Sequence, residues 1–336
     1  GNDVKPGILD KDGNIRDASS LVADWDNNNV TVEKLNEVKN VNTNSLPLVE
    51  SNDGIAPCVC KKSVGKFICI GLNYSDHAEE TGQKVPPEPI IFSKATSAII
   101  GPNDNIEIPR KSVKSDWEVE LGVVIGKEAK YIAESESQSH IAGYCVINDL
   151  SEREFQIEHY GQWVKGKSCD TFGPIGPYLV TTDEVPDPQN LKMWLEVNGK
   201  KMQDGSTSTM IYGVNFIISY LSQFMSLHPG DIISTGTPPG VGMGMKPQVF
   251  LKPGDEIHLG IAPHRAGFYF YVQVSSYPTV PETNPKHPSL VASALAPSRD
   301  SPTVPPEKAT DFRNHAMALP PSTDADLGGP WTGNPV

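Results

Sequence analysis

Cysteine is scarce in this chain of 336 residues, and what there is has no useful spacing. The five cysteines, Cys58, Cys60, Cys69, Cys145 and Cys169, are odd in number and contain no CxxC pair. Neither a disulfide framework nor a thiolate zinc site is favoured, and they read as reduced, mostly buried thiols. Basic charge is also short. Lys and Arg number 28 against 41 Asp and Glu, a formal net charge of -13. The clustered cations that nucleic acid or an anionic membrane surface would demand are therefore missing. The partner classes left are small molecules, ions and other copies of the chain. Long apolar runs are absent too, and the opening GNDVKPGILDKDG has neither the basic start nor the apolar core of a signal peptide. The expectation is a soluble, intracellular, cytoplasmic protein, with a mitochondrial location left open.

What is present is enough apolar sequence for a core: 38% hydrophobic residues and 21% charged ones exclude disorder throughout. The chain has three textures. Residues 1–62 are polar and Asn-rich and form a small N-terminal subdomain, with a hairpin around Asp12-Gly13 and a short helix begun by Thr31 in TVEKLNEVKN. Residues 63–274 carry short β-branched runs (KFICIGL, PIIFSK, EVELGVVIG, GYCVIND, GPYLVT, KMWLEVNG, GDIIST) separated by Gly, Pro, Asn and Asp turns. Many short strands with few helices, such as GVNFIISYLSQFMSL, predict a β-rich α+β domain closed on itself. Residues 275–336 hold 12 of the 30 prolines and little apolar periodicity, the composition of a disordered tail.

Within the middle texture, SDWEVELGVVIG puts Glu118 and Glu120 one residue apart in a strand. Side chains alternate along a strand, so both glutamates face one way and Trp117, Val119 and Leu121 the other. On a solvated face such a pair means nothing. On a buried face the two carboxylates repel unless a cation lies between them. GYCVIND ends a second strand on Asn148-Asp149, and three carboxylates converging from two strands would make a hard, all-oxygen site suited to Mg²⁺, Mn²⁺ or Ca²⁺. From spacing alone, solvated strand faces are the commoner explanation.

The ordered set of other segments changes that weighting. FICIGLNYSDHAEE (67–80), PIIFSKATSAIIGP (89–102), DWEVELGVVIG, NDLSEREFQ (148–156), GKSCDTFGPIGP (166–177), VNGKKMQDGSTSTMIY (197–212) and LHPGDIISTGTPPGVG (227–242) together resemble the fumarylacetoacetate hydrolase family, over about residues 5–260. The branch resembled includes 2-hydroxyhepta-2,4-diene-1,7-dioate isomerases, 2,4-diketo-3-deoxy sugar acid hydrolases and ureidoglycolate lyase-like proteins. The resemblance implies a mixed β-roll, commonly a homodimer, holding Mg²⁺ or Mn²⁺ and acting on small 2-oxo or 2,4-dioxo acids by hydrolysis, isomerisation, decarboxylation or lyase chemistry. It implies Glu118, Glu120 and Asp149 as the metal ligands. It further implies a catalytic pair, His77 and Glu80, on a mobile lid that activates water. Lys167 would point at the substrate's keto or carboxylate oxygen, Gln156 would hold water or substrate, and Thr237 would contact the substrate carboxylate. Lys94, after a buried strand, is placed near the site.

Residue chemistry supports parts of this. Asn73, Ser75 and Asp76 suit a helix start, which sets His77 and Glu80 three apart on one face, with Glu79 as an alternative partner. STGTPPGVG lacks the GK[ST] ending of a phosphate loop, and Pro238-Pro239 removes two backbone donors, so it reads as a rigid turn. The family's short strand before KPG is missing, as though the chain were trimmed at its start. At LGIAPHRAGFYFYVQV, Pro263, His264 and Arg265 replace a turn; GFYFYVQV can still supply the last strand, with its register left open. A fold-intact, non-catalytic binder is the alternative these departures raise.

Overall fold

The computed structural model describes residues 4–50, 54–262 and 268–276. The interruption at Pro263, His264 and Arg265 and the Pro-rich stretch from residue 277 onward lie outside the described residues. Val and Ile side chains are already stiff at χ1 and pack well on a pleated surface, which is why the short β-branched runs become strands. In chain order the regular elements begin with β1 (Gly7–Leu9), β2 (Ile15–Asp17), α1 (Val32–Lys39), β3 (Phe67–Gly71), α2 (Ser75–Thr81), β4 (Ile90–Lys94), β5 (Ile99–Ile100), β6 (Ile106–Ile108) and β7 (Ser115–Asp116). Then come β8 (Val119–Ile125), β9 (Ile141–Asn148), β10 (Ser151–Glu152), α3 (Val164–Lys167), β11 (Gly173–Thr181), β12 (Lys192–Val197) and β13 (Lys200–Ser206). The last are α4 (Val214–Ser222), β14 (Ile232–Ser234), β15 (Glu256–Ala262) and β16 (Phe268–Ser276).

One sheet runs β4-β3-β14-β8-β9-β11-β5 and a second β13-β12-β15-β16-β6. Pairing is mixed: β3 with β14, β5 with β11 and β6 with β16 are parallel, and the neighbours of β8 are antiparallel. The two-residue turn Asn198-Gly199 between β12 and β13 has positive φ at both positions, as a tight hairpin requires. Alternation assigns each face of the large sheet to its own core. Val119, Leu121, Val123 and Ile125 of β8 join Leu195 of β12, Leu259 of β15 and Ile217 of α4 between the sheets. Val124, with Cys145 and Ile147 of β9, faces the opposite way and is covered by Val30, Trp25 and Val59 from the N-terminal residues. This is the β-rich α+β architecture the sequence predicts. Among the described residues no helix is long and apolar enough to cross a membrane.

Local readings fare unevenly. Thr31 caps α1 by accepting from Lys34 N, and the β1–β2 hairpin turns at Asp12-Gly13, where Asp10 accepts from Asp12 N and Asn14 N. Ser75 and Asp76 open α2 as expected, but Asn73 takes no part in the start of the helix. Its N-cap is Tyr74, without a side-chain cap bond, because Asn73 turns inward to bond Tyr212 and Thr235 backbone groups. The closing strand has a defined register: β16 pairs with β15 from Gln273 opposite Glu256 to Phe268 opposite Ile261, and with β6 through Val274 and Ile106.

β8 and β9 sit side by side in the large sheet, with Val119 opposite Asn148. Asp149 N donates to Glu118 O at 2.9 Å, so the residue after β9 lies against the residue before β8. Behind β9 the register with β11 shifts between Gly176 and Val180, and a Cβ added at Gly143 would sit 2.3 Å from Val180 O. Gly143→Ala is expected to cost about 1–3 kcal/mol, the range for overpacking. The check is a lower urea unfolding midpoint than that of the wild type.

Candidate metal centre and active site

Glu118, Glu120 and Asp149 are all buried, and one carboxylate oxygen from each lies within 4.8 Å of the others. The reasons are local. Glu118 and Glu120 share a face of the β8 segment, and the β8–β9 register brings Asp149 beside them. That face is buried, so the benign reading of a solvated strand pair does not hold.

Cations surround the trio. Lys167 Nζ donates to Glu118 Oε2 at 2.6 Å and to Asp149 Oδ2 at 2.7 Å. Lys94 Nζ donates to Asp149 Oδ1 at 2.6 Å and to Leu150 O at 2.9 Å. Arg153 is the third. It reaches Glu118 Oε1 at 2.7 Å, Asp116 Oδ2 at 2.8 Å and Gln156 Oε1 at 3.1 Å. Gln156 lies on a single π-helical turn, Glu154–Glu158, a local irregularity often found at functional sites. Glu120 alone has no such partner among these bonds: it accepts from Ser234 Oγ at 2.6 Å and Gly236 N at 2.8 Å, both neutral donors.

The electrostatics follow. Burial would raise the Glu118 pKa, but Lys167 and Arg153 overcome it and hold the carboxyl at about 2. Burial followed by the charges of Asp149 and Glu118 pushes Glu120 well above the ordinary carboxylate value. Burial works against the Lys167 ammonium, yet Asp149 and Glu118 raise its pKa and keep it charged. Four buried carboxyl groups, including Asp116, thus face three buried cations, and Glu120, without a cation bonded to it, is the one pushed toward its protonated form.

A hard divalent cation fits these residues. The donors are all oxygen, and of the four clustered carboxylates the one without a cationic hydrogen-bond partner, Glu120, belongs to the trio. Asn148 Nδ2, next to Asp149 in the chain, is buried without a hydrogen-bond partner; as an N–H donor it suits an acceptor oxygen beside the ion, not the ion itself.

The second group of expected residues is on α2. His77 Nδ1 and Glu80 Oε2 are 3.0 Å apart, as the i,i+3 spacing predicts, and Glu80 also accepts from Gly240 N at 3.1 Å. Gly240 has φ +105°, and a Cβ there would lie 2.0 Å from Met202 O, so the donor depends on glycine. Thr237 belongs to the same loop. Its hydroxyl donates to Val119 O at 3.0 Å and accepts from Gln203 Nε2 at 2.9 Å, an internal role beside the backbone that joins the two glutamates. So Lys94, Glu118, Glu120, Asp149, Gln156 and Lys167 are brought together, and His77 and Glu80 form a pair tied to the loop that carries Thr237.

Lys167 is 2% and Gln156 4% exposed, so neither is a rim residue, and Lys94, also 2% exposed, lies at the site as expected. Sequence reasoning passed over Arg153, Asp116, Ser234 and Asn148. Arg153 and Asp116 both stand inside quoted motifs. The available signal was an arginine, the side chain best suited to bridge carboxylates, one strand end away from three of them.

Residues 66–268 match the model of the fumarylacetoacetate (FAA) hydrolase C-terminal domain. This chain belongs to the fumarylacetoacetate hydrolase family. A Burkholderia lata protein, provisionally named a hydrolase, is 57% identical over 258 residues, 76% of this chain and 91% of its own length. The fumarylacetoacetate hydrolase of Exiguobacterium antarcticum has a TM-score of 0.70 and 32% identity, covering 81% of this chain and 95% of that one. A 2-hydroxyhepta-2,4-diene-1,7-dioate isomerase from Mycobacterium marinum has a TM-score of 0.56 and 35% identity, covering 64% and 76%. The fold is accordingly the fumarylacetoacetate hydrolase β-roll.

Glu120 makes a pH-dependent prediction for the metal-free protein. Its folded pKa lies above the unfolded value near 4.5, so its contribution favours the fold below that pH and becomes destabilising as pH rises. Glu120→Gln is expected to raise the metal-free melting temperature at pH 7 by at least about 2 °C, the shift 1 kcal/mol produces in a domain of this size. The difference should vanish near pH 4. Thermal scans with and without Mg²⁺ complete the check: the ion should stabilise wild type and leave the variant unmoved.

Proposed function

We propose that this family member is a divalent-metal-dependent hydrolase that cleaves a C–C bond in an acylpyruvate-like or 2,4-dioxo acid. The observation that carries the reading is the trio of buried carboxylates within 4.8 Å of one another, beside two buried lysines. Glu118, Glu120 and Asp149 would hold Mg²⁺ or Mn²⁺, with Ca²⁺ a further hard ion for the same donors. When bound, such a cation supplies Lewis-acid polarisation of a keto oxygen and steadies the enolate charge that develops as the neighbouring bond breaks. With a dication bound and all four carboxylates ionised, the cluster would carry one net positive charge, which suits an anionic oxo acid. Lys167 and Lys94 keep further positive charge beside the same carboxylates.

The His77–Glu80 pair favours water chemistry. A neutral imidazole that donates from Nδ1 to the Glu80 carboxylate has its lone pair on Nε2, the atom that accepts a proton from water. Glu80 orients the ring and is itself oriented by Gly240 N. Gln156, held by Arg153, is proposed to position substrate or water, and Thr237 to line the carboxylate end. The second reading, an isomerase or tautomerase on the same site, is favoured by the likeness to the M. marinum isomerase. It needs less help from His77 than hydrolysis does. Decarboxylase or ureidoglycolate-type lyase chemistry would use the same carboxylates. A homodimer in the cytoplasm completes the proposal.

Two outcomes test it. Turnover of an acylpyruvate in a 2-oxo acid screen should disappear with chelator and return with Mg²⁺ or Mn²⁺; turnover that survives full chelation removes the metal reading, and no turnover with any substrate leaves a binder. His77→Gln should slow hydrolysis by about 10²–10⁴-fold, the usual worth of general base catalysis. Oxaloacetate decarboxylation by the same variant should fall far less, and equal loss in both would mean the imidazole does not serve water.

A further inference from the structure

The loop from Gly236 to Met243 contacts both halves of the site, and it does so with backbone N–H groups. Gly236 N donates to Glu120 Oε2 at 2.8 Å, and Gly240 N donates to Glu80. Gly242 N and Met243 N donate to the two oxygens of Asp116 at 2.7 and 3.0 Å. Between these points the loop is held to the strand that carries the glutamates. Thr237 Oγ1 donates to Val119 O, and Trp117 Nε1 donates to Gly240 O at 3.0 Å. It is a strap lying along residues 116–121, with one end at Glu120 and the other at Asp116.

Asp116 is fully buried and joins the strap to a second structure. Its Oδ2 accepts from Arg153 Nε at 2.8 Å, and the same guanidinium donates to Glu118 Oε1 and Gln156 Oε1. A buried carboxylate that served packing alone would need one cationic partner. This one also accepts two successive amides from a loop whose preceding glycine holds Glu80. Neither His77 nor the carboxylate trio needs Asp116 for direct contact, so its influence must pass through Arg153 on one side and Gly240 on the other.

We infer that Asp116 is a positioning residue that fixes Glu118 through Arg153 and Glu80 through the strap, setting the metal ligands and the water-activating pair in one frame. The inference rests on the reading of the trio as a metal centre. Outer partners of metal ligands change affinity without touching the ion, by about 10–100-fold when removed. Asp116→Asn keeps an oxygen for Gly242 N but turns an amide donor toward Arg153 Nε and Met243 N, which are donors themselves.

The test measures Mn²⁺ affinity by electron paramagnetic resonance together with a kinetic cycle between Asp116→Asn and Glu80→Gln. Expected are a Kd raised about tenfold in folded Asp116→Asn, faster amide exchange at residues 240–243, and a fall in kcat larger than any change in KM. The two substitutions should be less than additive in kcat, because each loosens the same pair. An unchanged Mn²⁺ Kd, or strict additivity, in a folded variant overturns the inference. Should Asp116→Asn not fold, Asp116→Glu keeps the charge opposite Arg153 while displacing both acceptor oxygens, and carries the same expectations. Failure of the wild type itself to bind Mn²⁺ sinks the metal reading and this inference with it, a result distinct from an unchanged Kd in the variant.

Discussion

Like charges held together out of water govern this structure. Glu118, Glu120 and Asp149 would repel and resist desolvation if left to themselves, and each element nearby supplies part of the remedy. The end of β4 brings Lys94, α3 brings Lys167, the π-helical turn follows Arg153, and β14 with the loop after it offers Ser234 and Gly236 to Glu120. The β8–β9 register is what makes the problem, since it sets Asp149 against Glu118. A shift by one residue would send the glutamates into the core between the sheets. Fold and site are therefore specified by the same pairing.

How much of this the sequence disclosed depends on the range of the interaction. The period of two in EVELGVVIG made the common face of Glu118 and Glu120 legible, and an i,i+3 step made the His77–Glu80 contact legible. Both are local geometry. The alternation of β8 likewise disclosed which residues enter the inner core. Ion pairs across 35 to 55 positions, such as Arg153 with Glu118 and Lys94 with Asp149, leave no trace in spacing. Asp116 was hidden for that reason, although it stands two residues from Glu118.

The helix start at α2 shows a different limit. Asn73 has the chemistry of a cap, but its amide is worth more inside, where it pairs with both backbone groups of Tyr212 and with Thr235 O. Tertiary demand overrode a local preference that was correctly identified. Thr237 was likewise placed at the right turn but with its proton already committed to Val119 O.

Lys167 carries a consequence of its own. By spanning Glu118 and Asp149 it acts as a tethered counter-ion, a cationic partner for both carboxylates that the chain itself supplies. Were Glu118, Glu120 and Asp149 to hold a dication, this ammonium would have to yield part of its grip on two of them, yet its tether would keep it alongside. The same head group would cover the two carboxylates again in an emptied site.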